Sequence, residues 1–600
     1  MKVLFIYSNH ATYLSPHYNH GIGFLAAVLK REGHEVALFS YDCPVEREDL
    51  IERVKSFGPD LVGFSVSTNQ YKYARKYSGW IKEDLGIRTI IGGVHAMLAP
   101  ERVFKDEMWD YLVVGEAEDT VVELADALDN DRDHTGISNL WLRKGGDVIK
   151  NELRPLVENL DSIPYPDREV FDIEHLLEGD RKVLSFLAGR GCPYVCTYCS
   201  NPAFRKLYKG KGRWVRFRSP ENLLGEIRTL LAEYSPRILD FNDDIFTLDH
   251  EWTGALLEGY RREFKLPFRC NVRVETVDKP MLEALKSSGC DAIRVGVEQG
   301  DENFRRKVLK RTMTNEQLQD VFDWAHELDL KAWSFNMLGF PGETPELARE
   351  TLELNRRIRP DHLQISIFNP YPGTALWDEC LEKGYLPEDA EAMDGYFVPD
   401  TPLDLPTMSH EQLKATHREF VDLSNLIKDE IRLGQKYRDG AVHYNLMEML
   451  GDAQIDQPTE GYVSTTYFTM DEDARKTLQE HPPSRISYRL RIPPGARFEA
   501  AIAIHPEVWE KARGDGVVFE VLVSEKRLLG KSKPKAILQK RIDPKNNSGD
   551  RRWVEVEADL GPYAGKVVIL ELVTRMHNDG ESDFNTAGWA SPVIVRSDSK

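Results

Sequence analysis

Three cysteines, Cys192, Cys196 and Cys199, fall within eight positions of a 600-residue chain that has only seven. They sit in the Gly- and Pro-punctuated stretch GRGCPYVCTYCSNP (189–202). Thiolates at Cys-x3-Cys-x2-Cys spacing on one loop can converge on a metal centre. A structural zinc site takes four ligands, usually as two separated pairs, and no second CxxC exists here. Iron–sulfur cubanes are held by cysteine thiolates, one per iron, so three thiolates on a four-iron cluster leave one iron open to a substrate or cofactor. Cys270, Cys290 and Cys380 are solitary and read as small core hydrophobes. Further polar residues follow apolar runs downstream: Asp243 and Asp244, Glu275, Glu298 and the turn GFPGE. Singly, each of these is also ordinary helix-cap or turn chemistry.

The elements that must carry these residues are a second series of strand and helix units beginning near residue 181. KVLSFLAG runs straight into the cysteine loop, and RILDFNDD, FRCNVRVE, AIRVGVEQG, KAWSFNMLGFPGE and HLQISIFNPYPG follow, with helical segments between. Six such units predict a curved parallel sheet, a partial barrel, whose chemistry lies at the C-terminal strand ends. All the residues above fall on that edge. Upstream, residues 1–140 alternate strand and helix strictly, which predicts a Rossmann-like doubly wound sheet. Its strand-end loops SNHATYLSPHYNHGIG, SVSTNQY, GGVHAML and GEAED are small and hydroxylated. They suit either ordinary loop chemistry or backbone approach to a large ligand with polar arms. Residues 141–180 read as a linker, 181–400 as the barrel and 401–452 as a helical extension. Residues 453–600 read as an antiparallel β-sandwich, jelly-roll-like. The fold class is thus multidomain α/β with a C-terminal sandwich.

Lys plus Arg number 78 against 98 Asp plus Glu, a net charge of −20 that argues against wholesale binding of nucleic acid or an anionic membrane. No stretch of about 18 apolar residues predicts a membrane span, and the N-terminus lacks a signal peptide's apolar region and cleavage site. An odd, mostly scattered set of cysteines is no disulfide framework. These features predict a cytoplasmic protein.

The cysteine loop, with Tyr198 before its last cysteine, directly after the first strand of a partial barrel, resembles the radical S-adenosylmethionine (radical SAM) enzymes. DFNDDIF (240–246), RVGVEQG (294–300), FNMLGFPGET (335–344) and NPYPGTALWD (369–378) resemble that family's later strand motifs in order. Gln299 replaces the usual Ser. Residues 1–130 resemble the cobalamin-binding domain that precedes the barrel in one branch of the family. The Asp-x-His-x-x-Gly motif of other cobalamin proteins is not intact, since Ser8 and Tyr13 replace its Asp and Gly, although His10 remains.

The resemblance implies three cofactors. A [4Fe-4S] cluster on Cys192, Cys196 and Cys199 comes first. S-adenosyl-L-methionine is placed against Tyr198, Asp243, Asp244, Glu298, Asn336, Gly339, Pro341 and Gly342. Cobalamin is placed against His10, Ser65, Ser67, Thr68, Gly92, Gly93, His95, Gly115 and Glu116, with His10 either a cobalt ligand or a solvated loop histidine. It implies a methyltransferase that methylates an unactivated carbon or phosphorus through a 5′-deoxyadenosyl radical and methylcobalamin. A non-methylating cyclase or rearrangement enzyme of the same branch is the alternative, and a non-catalytic SAM or cobalamin sensor is the reading from another class. The partners implied are an external electron donor of flavodoxin or ferredoxin type and a small-molecule or sugar-bearing substrate. Trp553, Tyr563 and Trp589 are either sandwich core or a sugar platform.

Overall fold

A computed structural model describes residues 1–9, 18–177, 182–387, 400–438, 442–456, 463–470, 473–509, 516–525, 532–577 and 586–596. The chain forms two compact units, Met1–Phe420 and Val421–Lys600. No helix among the described residues is long and apolar enough to cross a membrane.

The first sheet contains β1 (Lys2–Ser8), β2 (Glu35–Tyr41), β3 (Leu61–Ser65), β4 (Arg88–Gly92), β5 (Tyr111–Val113), β6 (Leu140–Lys144) and β7 (Asp147–Lys150) in the order β2-β1-β3-β4-β5-β6-β7. β1 to β5 are parallel. The apolar runs of β1, β3, β4 and β5 are buried on both faces, as a helix-covered parallel sheet requires, while the edge strand β2 buries only Phe39. The chain reverses its direction of travel across the sheet between β1 and β3, and such a switch point opens a crevice at the C-terminal strand ends. The antiparallel hairpin β6–β7 corrects the expected linker: residues 141–150 extend this sheet through β5. The alternation of LWLRK and DVIK around Gly145-Gly146 is a hairpin signal.

The second sheet holds the six expected strands, β8 (Val183–Phe186), then, after the short antiparallel pair β9 (Gly189–Arg190) and β10 (Arg216–Phe217), β11 (Ile238–Phe241), β12 (Phe268–Val272), β13 (Cys290–Glu298), β14 (Lys331–Leu338) and β15 (His362–Ile367). All six are parallel and lie side by side in chain order, an open half-barrel. Along β14, Ala332, Ser334, Asn336 and Leu338 are buried while Trp333, Phe335 and Met337 are half-buried. The buried set faces the outer helices, since Asn336 and Ser334 both bond Asn355 of the helix Pro345–Ile358. Cys270, Cys290 and Cys380 are buried core, as expected.

The second unit has two antiparallel sheets whose facing side chains, Tyr488, Phe498, Phe519 and Trp589 among them, form one core. Trp553, Tyr563 and Trp589 are all buried, which removes the exposed sugar platform as their role. Val442–Asn445, expected in the helical extension, pairs with the strand Ala587–Arg596 and belongs to the sandwich.

Candidate active site

The cysteine loop leaves β9 and is fixed by its backbone rather than by its thiols. Thr197 N donates to Leu309 O at 3.3 Å, Leu376 N to Thr197 O at 3.1 Å, Cys199 N to Cys196 O at 3.2 Å, and the Trp214 indole to Cys192 O at 2.9 Å. Cys196 is buried, and Cys192 and Cys199 are half-buried. Arg273 Nη1 lies 3.6 Å and Arg311 Nη1 4.0 Å from Cys196 Sγ, and Asn201 N and Nδ2 lie 3.5 and 3.7 Å from Cys199 Sγ. Burial pushes the Cys192 thiol up to about 12 and the Cys199 thiol up to about 11, so binding a metal must displace their protons. Two guanidiniums beside Cys196 and two amide donors beside Cys199 stabilise thiolate charge there, and the loop fits a cluster. Among the described residues, no three His, Cys, Asp or Glu side chains gather around one point as a single metal ion requires, whereas a cubane puts each ligand on its own iron.

Arg273 and Arg311 were invisible to sequence reasoning because nothing in their local pattern marks them. Arg273 is paired with Glu275 at 2.7 Å and lies 3.7 Å over the Tyr194 ring. Arg311 donates to the Tyr198 hydroxyl at 3.1 Å and to Gly296 O, and pairs with Glu298 at 3.5 Å. Glu298 ends β13 with φ of 68°, a left-handed backbone that costs a non-glycine residue about 1–3 kcal/mol. Burial pushes its carboxyl up, opposed by Arg311. A strained, buried acid beside the cysteine loop is a functional feature rather than a packing one.

Two of the residues assigned to SAM are otherwise engaged. Asp243 is buried and accepts from Ala188 N at 3.0 Å and Gly189 N at 2.6 Å, which fixes the start of the cysteine loop. Burial raises its carboxyl to about 7 against those two donors. Its neighbour Asp244 is exposed and accepts from Asn201, the residue that donates to Cys199, at 3.0 Å. Asn336 faces the helix layer, its amide taken by Asn355 at 2.8 Å and Gln364 O at 3.1 Å. Strand alternation therefore puts Phe335 and Met337, not Asn336, on the inner face. Gly339, Pro341 and Gly342 form the expected turn, closed by the buried Glu343, whose carboxylate accepts from Gly339 N at 2.6 Å and Phe340 N at 3.2 Å. The substituted Gln299 donates to Leu347 O at 2.8 Å and so ties the end of β13 to the helix Pro345–Ile358.

In the first sheet, the loops after β3 and β4 bring Ser65, Ser67, Thr68, Gly92, Gly93 and His95 together beside the switch-point crevice. His10 lies outside the described residues. His95 N donates to Val66 O at 3.0 Å, its Nδ1 lies 3.2 Å from Thr68 Oγ1, and its ring packs on Tyr71 at 4.5 Å between centroids. Burial lowers its imidazole to about 4, so it is neutral. His95 Nε2 and Asn69 Oδ1 are buried with no hydrogen-bond partner among the described residues. Buried orphan polar atoms at a ligand crevice are donors and acceptors awaiting a guest, and they fit a polar cofactor tail. Gly93 has φ of 90°, and a Cβ there would lie 2.6 Å from Val66 N. Gly93→Ala is expected to lose about 1–3 kcal/mol of stability and most cobalamin retention. Gly92→Ala, whose Cβ meets Val113 at 3.8 Å, should keep far more of both in thermal unfolding and cobalt content.

Gly115 and Glu116, just after β5, are engaged by residues from 153 to 216. The Tyr208 hydroxyl occupies the space a Gly115 side chain would need and accepts from Glu116 N at 2.6 Å. The Glu116 carboxylate takes Arg216 at 2.8 and 3.0 Å, Arg190 at 3.1 Å and Val157 N at 3.1 Å. Burial opposes its charge, but Arg216 and Arg190 more than offset that and hold it below the usual carboxylate range. Arg190 and Arg216 flank the cysteine loop on β9 and β10, so Glu116 fastens the first sheet to the half-barrel. Glu116→Gln leaves Arg216 with a neutral partner, while Arg190 keeps Glu118 at 2.5 Å, and should cost about 3 kcal/mol in urea unfolding.

Residues 9–125 match the B12 binding domain family and residues 186–354 match the Radical SAM superfamily. The chain joins a B12 binding domain to a radical SAM domain. This radical SAM enzyme is 29% identical to a Pyrococcus horikoshii protein named an uncharacterized methyltransferase, over 61% of this chain and 79% of that one. It is 24% identical to the anaerobic magnesium-protoporphyrin IX monomethyl ester cyclase of Rubrivivax gelatinosus, over 64% of this chain and 70% of that one. Its fold is similar to that of the radical S-adenosylmethionine methyltransferase TsrM from Kitasatospora setae, solved with cobalamin and a [4Fe-4S] cluster bound. The TM-score there is 0.55 at 20% identity, covering 64% of this chain and 75% of that one.

Proposed function

We propose that this radical SAM enzyme is a methyltransferase acting on an unactivated carbon or phosphorus, with a [4Fe-4S] cluster, SAM and cobalamin as cofactors. The observation that carries the reading is the cysteine loop tied through Arg190, Arg216 and Glu116 to a B12-binding domain within one compact unit. When bound, these cofactors supply one-electron cleavage chemistry and a transferable methyl group. The chain's own part is to hold and to exclude. Cys192, Cys196 and Cys199 ligate, while Arg273 and Arg311 balance the thiolate charge. Glu298 offers a preset carboxylate, and Tyr198 with Phe340, 6.0 Å apart between ring centroids, helps keep water out. The cysteine loop and the orphan polar atoms around His95 support both cofactor assignments.

The substrate proposed is a small or sugar-bearing molecule that contacts the polar inner face of the half-barrel, where Arg294 pairs with Asp240. For the second unit we propose a jelly-roll-like module, which the central place of Ala587–Arg596 between Asp473–Glu480 and Ala496–Ile504 supports. Seven free cysteines support a reducing, cytoplasmic setting.

The test is anaerobic incubation of the loaded enzyme with reductant and SAM. Formation of both 5′-deoxyadenosine and S-adenosylhomocysteine is expected. 5′-Deoxyadenosine alone would move the assignment to a cyclase or rearrangement enzyme, as the Rubrivivax relative suggests. Neither product would leave a sensor.

A further inference from the structure

In a chain of net charge −20, residues 201–219 hold seven Lys and Arg and no Asp or Glu. Arg216 and Arg218 are buried on Glu116 and Glu226. Arg205, Lys206, Lys209 and Arg213 are exposed, and Lys206, Lys209 and Arg213 make no ion pair among the described residues. We propose that this segment, with the outer edge of the cysteine loop, is the docking surface for an acidic one-electron carrier protein. The proposal rests on the functional reading above.

Three observations place the basic segment against the loop. Arg205 Nη1 donates to Pro193 O, between Cys192 and Cys196, at 2.8 Å. The helix Asn201–Leu207 starts two residues after Cys199 and is only about 10 Å long at 1.5 Å per residue. Trp214, the residue after Arg213, reaches the Cys192 carbonyl with its indole. Pro193 is exposed and Val195, inside the cysteine loop, is 55% exposed. An apolar contact bordered by unpaired cations is the make-up of a protein interface with an acidic partner. A long polyanion would gain from the same cations but would meet the field of −20 beyond this short segment. In each encounter one electron passes from the carrier, left oxidised by one electron, to the centre held by the three cysteines. No proton or group is exchanged.

The experiment compares wild type with the triple variant Lys206→Glu, Lys209→Glu, Arg213→Glu and with the corresponding Gln triple, all carrying a full complement of iron. The probe is reduced flavodoxin, with a single-stranded oligonucleotide as the competing polyanion. Flavodoxin binding to wild type should weaken at least about tenfold between roughly 0.05 and 0.3 M salt. Binding and the flavodoxin-driven rate of cluster reduction should fall at least about tenfold in the Glu triple and less in the Gln triple. Dithionite-driven reduction should stay unchanged in both. Unaltered flavodoxin binding and reduction in the Glu triple would overturn the proposal, as would loss of oligonucleotide binding alone. If wild type makes no 5′-deoxyadenosine even with dithionite, the functional reading fails, while the binding data still decide the docking surface.

Discussion

Replacing Cys192, Cys196 and Cys199 together by alanine yields a folded protein that holds no iron or sulfide and makes no 5′-deoxyadenosine. Folding survives because the loop is held by backbone bonds, from Thr197 to Leu309 and Leu376 and from Trp214 to Cys192 O, none of which uses a thiol. The two cations beside Cys196 keep other partners, Glu275 for Arg273 and Glu298 and Tyr198 for Arg311, so no buried charge is stranded. The loss is therefore specific to the metal. Cys270→Ala and Cys290→Ala provide the contrast. Each removes a buried sulfur from strand core and should cost about 1–2 kcal/mol of stability while leaving iron content whole. Iron and sulfide at wild-type levels in the triple variant would end the assignment of the loop.

What could be read from the sequence depended on whether a residue's role is local. The cysteine spacing, the six barrel strands and the GFPGE turn are written in contiguous residues, and all six strands lie where the apolar runs put them. Side-chain direction is less local. Asn336 looked available until strand alternation was tied to the helix carrying Asn355, and Asp243 looked like a ligand contact until its two backbone donors were seen. Glu116 sits in a loop that reads as cofactor chemistry, yet its partners are 74 and 100 residues away. No local pattern announces an ion pair across such a separation. The β6–β7 hairpin differs in kind: its Gly-Gly turn between alternating residues was there to be read, and the prolines further along obscured it.

Gly296→Ala should leave the half-barrel folded yet weaken SAM binding on the order of a hundredfold, about 2.8 kcal/mol. A Cβ at residue 296 would lie 2.3 Å from Glu298 Oε1 and 3.3 Å from Arg311 Nη2, so the carboxylate must swing away and its pair with Arg311 opens. The glycine is thus needed for the acid two residues on, and not for its own backbone, which has no positive φ. Glu298→Gln separates charge from placement. It keeps the side chain's shape over Gly296 but takes the counter-charge from a buried guanidinium, at a cost of about 3 kcal/mol in stability. If the carboxylate itself meets SAM, both variants lose affinity in equilibrium dialysis with the cluster-loaded enzyme, and both lose stability because each takes the counter-charge from Arg311. If Glu298 serves only to neutralise Arg311 beside Cys196, Gly296→Ala binds SAM normally and its cluster potential shifts instead. The left-handed backbone at Glu298 favours the first outcome, because charge balance alone would not require a strained conformation.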